Sequence, residues 1–281
     1  MPHNQGAGLS LAFSPCPNDT FIFDALIHGR VPCPGFSPEA VLADVETLNQ
    51  WAFQGLYPVS KLSFAALGRL RDSYALLPSG AALGRGCGPL LTARESMDRD
   101  RLRRSVIAVP GLDTTATFLL RLFLGKDLDL RPMPFETIMP ALRDGLVDAG
   151  LIIHEGRFVF KEYGLICIQD LGAFWEETTG FPIPLGGIAL RRDMLSSAEL
   201  LSRAIGESIL HARRFPEGAM PYIRSHAQEM VADVMERHIA LYVNDFSIDL
   251  GEEGRETVAF FFRKGEELGL FPACEKDFMA F

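Results

Sequence analysis

Leu9-Ser-Leu-Ala-Phe-Ser-Pro-Cys-Pro-Asn-Asp-Thr-Phe-Ile-Phe-Asp-Ala-Leu-Ile27 joins two apolar runs through a polar stretch broken by prolines. Leu9–Phe13 is short, apolar and free of breakers, as a buried strand should be. Ser14–Asp19 reads as a loop. Phe21–Ile27 then reads as a helix that Gly29 can end, with Asp19 or Thr20 placed to accept from its first free N–H groups. Strand, polar loop and helix form the half-unit of an α/β fold.

The same unit recurs along the chain. Val45–Gln54 reads as a helix with Val45, Leu48 and Ala52 on one side, and Val59 marks a strand. Leu62–Leu70 returns to helix, and Leu76–Leu77 and Gly88–Ala93 read as strands. A second block begins near Ser105, with strands Val106–Val109, Asp148–Ile153 and Leu165–Asp170 and helices Thr114–Leu124 and Thr137–Leu146. Leu185–Leu190 is one more strand. Ala198–Arg214, Ala219–Ser225, Glu229–Val243 and Arg255–Leu268 are helical. Alternation of this kind predicts an α/β protein with largely parallel pairing. Gly88–Arg94 and Gly187–Arg192 resemble each other and read as strands crossing between lobes, with hinges near Leu91 and Ala189. Residues 8–100 and 187–281 are then one discontinuous lobe, and residues 101–186 an inserted second lobe. One continuous sheet is the alternative.

Composition bounds the function. The 281 residues are 48% hydrophobic and 22% charged, with a formal net charge of -9. That is a globular balance, and it argues against a nucleic-acid partner. Met1–Gly8 is polar and short, unlike a secretory signal. Phe118–Leu124 is interrupted by Arg121 and is too short to span a bilayer. The expectation is a cytoplasmic chain with no membrane partner. Cys16, Cys33, Cys87, Cys167 and Cys274 are odd in number and include no C-x-x-C pair. Reduced thiols are expected, with no disulfide framework and no metal site.

Four polar clusters fall at the C-terminal ends of expected strands: Ser14–Thr20, Ser60–Ser63, Asp113–Thr115 and His154–Arg157. Loops there open a crevice, and helix N-termini aim N–H groups into it. Each cluster alone could be an ordinary helix cap; their agreement is the signal. Ser14 and Asn18 are therefore candidate ligand contacts. His154 ends the run Gly150-Leu-Ile-Ile153 at the same crevice, where it could take a proton near neutral pH. The other histidines, His238 among them, read as structural or exposed. Phe174–Phe181 could line a planar ligand or simply pack a loop. There is no dinucleotide fingerprint, P-loop, G-x-S-x-G elbow or H-E-x-x-H.

Together, Ser14-Pro-Cys-Pro-Asn-Asp-Thr-Phe-Ile-Phe23, Lys61-Leu-Ser-Phe64, Leu83-Gly-Arg-Gly-Cys-Gly-Pro89, Asp113-Thr-Thr-Ala116, Gly150-Leu-Ile-Ile-His-Glu-Gly-Arg157 and Asp170-Leu-Gly-Ala-Phe-Trp-Glu-Glu177 resemble the 1,4-dihydroxy-6-naphthoate synthases of the futalosine route to menaquinone. The resemblance spans nearly the whole chain. It implies a type II periplasmic-binding-protein-like fold, two lobes with a ligand cleft between them, used by a cytoplasmic enzyme. It implies cleavage of cyclic dehypoxanthine futalosine to 1,4-dihydroxy-6-naphthoate and dihydroxyacetone without a cofactor. Lys61, Leu62 and Ser63 match one substrate-contacting stretch of the family, Thr114 and Thr115 a second, and His154 its proton acceptor. Asp113 is given no role. A non-catalytic carboxylate-binding protein of the same fold is the alternative, since fold alone does not decide function. A ligand-sensing domain of a transcription regulator lacks any attached DNA-binding segment. Nothing in the sequence fixes the oligomeric state.

Overall fold

A computed structural model describes residues 6–227 and 231–281. The start of the expected frayed tail Met1–Gly8, and residues 229–230 of the expected helix Glu229–Val243, lie outside them. The chain runs β1 (Ala7–Phe13), α1 (Pro17–Ile27), β2 (Phe36–Leu42), α2 (Val45–Phe53), β3 (Val59–Ser63), α3 (Phe64–Leu70), β4 (Tyr74–Leu76) and β5 (Ala82–Gly84). It continues through β6 (Leu90–Ala93), α4 (Arg99–Arg103), β7 (Val106–Val109), α5 (Thr115–Leu124), β8 (Asp129–Pro132), α6 (Phe135–Arg143), β9 (Ala149–Ile152), α7 (Gly156–Val159), β10 (Ile166–Asp170) and α8 (Leu171–Thr179). Last come β11 (Ile183–Arg191), α9 (Ala198–Arg214), α10 (Pro216–His226), α11 (Ala232–Tyr242), α12 (Asp245–Ile248) and α13 (Gly251–Glu267).

Two sheets form. The first has the order β2-β1-β3-β11-β4, with β5 also on β11; the second has the order β10-β6-β9-β7-β8. Pairing is parallel where strands follow one another through helices, as in β1 with β2 and β3, and β7 with β8 and β9. It is antiparallel wherever β11 or β6 takes part. Each of these two is the first strand formed after the chain changes sheets. Leu91 and Ala189, the expected hinges, sit inside β6 and β11, and each is paired on both sides. The chain changes sheets at residues 85–89 and 171–182. There a Cβ on Gly88 would stand 2.3 Å from the Gly172 Cα, so only glycine lets the two crossovers touch backbone to backbone.

Three findings depart from the sequence reading. β2 and β8 were not expected: Phe36–Leu42 contains a proline and Asp129–Pro132 is mostly polar, and each is an outer strand of its sheet, where both are tolerated. Helix α1 begins at Pro17, with Cys16 at the cap position, because proline fits a first helical turn; neither Asp19 nor Thr20 caps it. Residues 171–179 form α8 rather than a loop, capped by Asp170, whose carboxylate accepts from the Gly172 and Ala173 N–H groups. Trp175 is fully buried there against Phe260 and Phe261 and donates to the Pro182 carbonyl at 2.9 Å. It packs the core and does not line the cleft.

The largest apolar core joins the two sheets. It contains Leu62 and Leu76 of the first, Leu91, Val109 and Leu151 of the second, and Phe118 of α5 tilted against Phe261 of α13. A second core lies between the first sheet and helices α1 and α9, through Ile22, Phe23, Ile205 and Ile209. A third backs the second sheet through Ile138, Leu142 and Ile152. The polar ends of β1, β3, β7 and β9 converge on one cleft.

Candidate active site

Each wall of the cleft is the turn from a strand into a helix. The lining includes Ser14 and Asn18 from the β1–α1 turn, Lys61, Leu62 and Ser63 from β3, Thr114 and Thr115 at the head of α5, and His154 after β9. All eight residues singled out in the sequence therefore meet in one cavity. Val45, Ala82, Cys87, Pro89, Leu185, Gly186 and Tyr242 complete the lining.

The polar wall near β1 is ordered from within. Asp19, almost wholly buried, accepts from the Ser14 N–H (3.2 Å), the Ser14 hydroxyl (2.7 Å) and the Asn18 amide (2.8 Å). Lys61 is buried too; its ammonium lies 3.0 Å from Asp19 and donates to the Gly80 carbonyl at 2.9 Å. Asp19 is thus the hub that positions Ser14, Asn18 and Lys61. An ammonium has three N–H donors, so the third can serve a ligand.

The opposite wall offers donors differently from a simple hydroxyl clamp. The Thr114 hydroxyl donates to the Gly111 carbonyl at 2.9 Å and accepts from the Thr117 N–H, capping α5. The Thr115 hydroxyl donates to the Leu185 carbonyl at 2.8 Å and accepts from the Ala65 N–H. Both hydroxyl hydrogens are engaged with backbone. Thr115 and Ala116 line the cleft, and their N–H groups head the helix and have no acceptor within it. Ser63 accepts from Asn49 through its oxygen, which leaves its hydroxyl hydrogen free. Asp113 spans the cleft rim: it pairs with Arg69 and accepts from Gln50 at 3.1 Å.

His154 has a φ of +54°, the only positive value on a non-glycine residue among the described residues. Such strain is held in place by its surroundings and gathers at functional sites. The left-handed turn ends the extended chain, so His154 and Glu155 do not point to opposite faces as neighbours on a strand do. Instead Cys16 Sγ, a His154 ring nitrogen and a Glu155 carboxylate oxygen all lie within 4.8 Å of one another. These three are also the donors that could hold a thiophilic divalent cation. The His154 ring lies 5.1 Å from Phe135 and 6.0 Å from the near-parallel ring of His238.

Burial dominates the electrostatics. It pushes the His154 imidazole below its ordinary value, an effect partly offset by the carboxylates of Glu155 and Asp19. It raises the Cys16 thiol well above the usual range, with Glu155 adding to the effect, so this cysteine stays a thiol. Burial also raises the Tyr242 phenol, which keeps it a hydrogen-bond donor. His238 falls well below its ordinary value, again by burial first and then by His154.

A pH dependence follows. If the neutral imidazole does the work, activity holds down to a pH below the ordinary histidine value of about 6.5 and falls as protonation begins. Stability has the same sign: the unfolded chain binds protons to these two histidines before the folded one does. Stability is therefore full above about pH 6.5 and declines as pH falls towards the lowered folded values. A kcat/KM limb at or above neutrality, on a pH–rate profile, would contradict this.

His238 and Tyr242 escaped the sequence reading. They stand one helical turn apart on α11, their rings 4.6 Å apart; Tyr242 lines the cleft and His238 is buried beside His154. An i, i+4 pair of this kind marks one helix face but carries no sign of which cavity that face meets. Arg157 bridges the lobe entry, donating to the Gly88 carbonyl and pairing with Asp170 at 2.6 Å.

No helix among the described residues is long and apolar enough to cross a membrane. A family model described as menaquinone biosynthesis matches residues 9–267. A 1,4-dihydroxy-6-naphthoate synthase of Thermus thermophilus is 49% identical over 263 residues, 93% of this chain and 95% of that protein. One from Streptomyces coelicolor is 47% identical over 280 residues, 97% and 98% of the two chains. A solved protein of Archaeoglobus fulgidus superposes with a TM-score of 0.88 at 36% identity, covering 96% of this chain and all of that one. The alkanesulfonate-binding protein of Xanthomonas axonopodis shares the fold, with a TM-score of 0.69 at 14% identity over 96% of each chain. The two-lobed architecture is thus that of periplasmic binding proteins, and, with nearly all of both named relatives matched at close to half identity, the chain belongs to the 1,4-dihydroxy-6-naphthoate synthase family of menaquinone biosynthesis.

Proposed function

We propose that the chain cleaves a carbon–carbon bond of cyclic dehypoxanthine futalosine, in the cytoplasm, to give 1,4-dihydroxy-6-naphthoate and dihydroxyacetone, with His154 as general base and no cofactor. The observation that carries this is a buried imidazole held below its ordinary pKa on a strained turn, facing a cleft whose other wall ends in unpaired helix N–H groups.

The substrate carboxylate sits at the head of α5. There the Thr115 and Ala116 N–H groups and the helix dipole favour an anion, with the Ser63 hydroxyl and the Lys61 ammonium as further donors. The carboxylate is remote from the breaking bond. Its binding energy therefore fixes the ring against His154 and acts on orientation. His154 removes a proton beside a carbonyl, and loss of the three-carbon fragment makes the ring aromatic. Apolar lining from Leu62, Cys87, Pro89 and Leu185 keeps water from the intermediate. An acidic chain with this enclosed cleft takes a small carboxylate rather than a nucleic acid.

The competing reading is a protein that captures the carboxylate without chemistry, as the fold of solute-binding proteins allows. Incubation of the purified protein with the cyclic substrate separates the two. Growth of naphthoate absorbance with equimolar dihydroxyacetone is expected; saturable binding with no product would support the competing reading.

A further inference from the structure

Cys16 Sγ, a His154 ring nitrogen and a Glu155 carboxylate oxygen lie within 4.8 Å of one another. A fourth donor stands beside them. His238 Nδ1 faces Glu155 Oε2 at 3.6 Å, and neither buried atom has a hydrogen-bond partner. The surrounding bonds say what His238 offers. Asp19 is already met by the Ser14 N–H and hydroxyl and the Lys61 ammonium, and its carboxylate takes the nitrogen end of the Asn18 amide at 2.8 Å. The Asn18 oxygen is then turned to His238 Nε2, at 3.0 Å, and accepts its N–H. That leaves Nδ1 as a lone pair aimed at a carboxylate oxygen. Two buried acceptors set against each other are unfavourable; a cation between them makes each a ligand. A metal-binding histidine is commonly held in this way, by an acceptor on its far N–H.

The dimensions fit. Bonds of about 2.0–2.3 Å at tetrahedral angles place ligand atoms about 3.3–3.8 Å apart. The Glu155–His238 separation of 3.6 Å falls inside that range. The donors come from three elements that the fold brings together: the cap of α1, the turn after β9, and α11. One sulfur, two imidazole nitrogens and one carboxylate suit zinc or cadmium, whereas magnesium and calcium take oxygen ligands. His154 lines the cleft, which gives the cation its way in. The charge of neighbouring Lys61 is offset by Asp19.

We propose that Cys16, His154, Glu155 and His238 form a binding site for one thiophilic divalent cation, and that its occupancy shuts the enzyme off. The cation takes the lone pair with which His154 would accept the substrate proton, so the two compete for it. This inhibitory half rests on His154 being the base; the site itself does not. On binding, a sulfur–metal bond forms as the Cys16 S–H bond breaks, and the proton leaves to solvent; nothing is oxidised or reduced.

Titration of chelator-treated wild-type protein with cadmium tests the site, because a cadmium–thiolate bond absorbs in the ultraviolet. One equivalent is expected to produce that absorbance. Cys16→Ser, which keeps a good helix cap, should lose it together with at least about 10²-fold in affinity, since even the outer partners of a metal site are worth about 10–100-fold. Glu155→Gln keeps the size of the side chain and should also weaken binding, so a folding failure of one variant leaves the other. Cys167 is exposed and Cys274 partly so, and any signal of theirs persists in Cys16→Ser. Cadmium and zinc should each cut turnover by about 10²-fold or more, in step with occupancy and reversibly by chelator, while magnesium leaves it unchanged. No absorbance in the wild type, an unchanged one in Cys16→Ser, or full turnover by the saturated protein would overturn the proposal. If the metal-free protein forms no naphthoate, the proposed function fails separately, and the absorbance still decides the site.

Discussion

The His154→Asn variant is expected to fold, to bind product with little change, and to turn over about 10²–10⁴-fold more slowly, the range that general base catalysis supplies. Asparagine is the appropriate replacement because the backbone here is left-handed, at a φ of +54°. Asparagine tolerates that region, whereas alanine would add strain and confound folding with chemistry. The side chain stays polar, so the wall next to Cys16 and Glu155 remains a polar one. Single-turnover rates and product binding, measured on the same preparation, separate the chemical step from affinity. Near-normal turnover would exclude His154, and Cys16, a buried thiol within reach of the same space, would be the residue to replace next.

The largest effect on stability is expected from Lys61→Met. Methionine preserves length and apolar bulk. It removes the cation that faces Asp19 at 3.0 Å, both side chains being less than a tenth exposed. Breaking a buried pair from one side leaves an uncompensated charge, which costs about 3–5 kcal/mol. Asp19 retains its Ser14 and Asn18 donors, so the value should lie towards the lower end. Denaturant unfolding should show a lowered midpoint with an unchanged slope. The Lys61→Met, Asp19→Asn double variant should recover part of the loss, since the two residues form one unit. A loss below about 1 kcal/mol would show that the pair is solvated in a way its burial does not suggest.

Much of this was legible in the sequence because strand-to-helix turns leave a local mark. Val106–Val109 and Ala198–Arg214 begin and end where the pattern puts them. The eight candidate residues lie at or beside strand-to-helix turns, and the α/β rule that such turns gather at one crevice brings them together. What escaped was either edge structure or long-range. β2 and β8 are held by neighbours rather than by their own composition. The antiparallel course of β6 and β11 depends on where the chain changes sheets, which only the Gly88–Gly172 contact reveals. His238 reaches Asn18 from far along the chain, and no spacing rule connects them. Asp19 was taken for a helix cap because a carboxylate before an apolar run usually is one; here a buried lysine and a serine claim it instead. At the threonine pair, only the geometry shows both hydroxyl hydrogens already engaged with carbonyls.

The central claim is that one cleft holds the naphthoate with its carboxylate at the head of α5 and its ring against His154. A crystal structure with 1,4-dihydroxy-6-naphthoate bound tests it most directly. The expected result is a carboxylate oxygen within hydrogen-bond distance, about 2.7–3.2 Å, of the Thr115 or Ala116 N–H. The ring carbon that had carried the three-carbon fragment should face the His154 imidazole. A product bound with its carboxylate at Lys61 and Asp19 and its ring turned away from His154, or bound outside this cavity, would contradict the account.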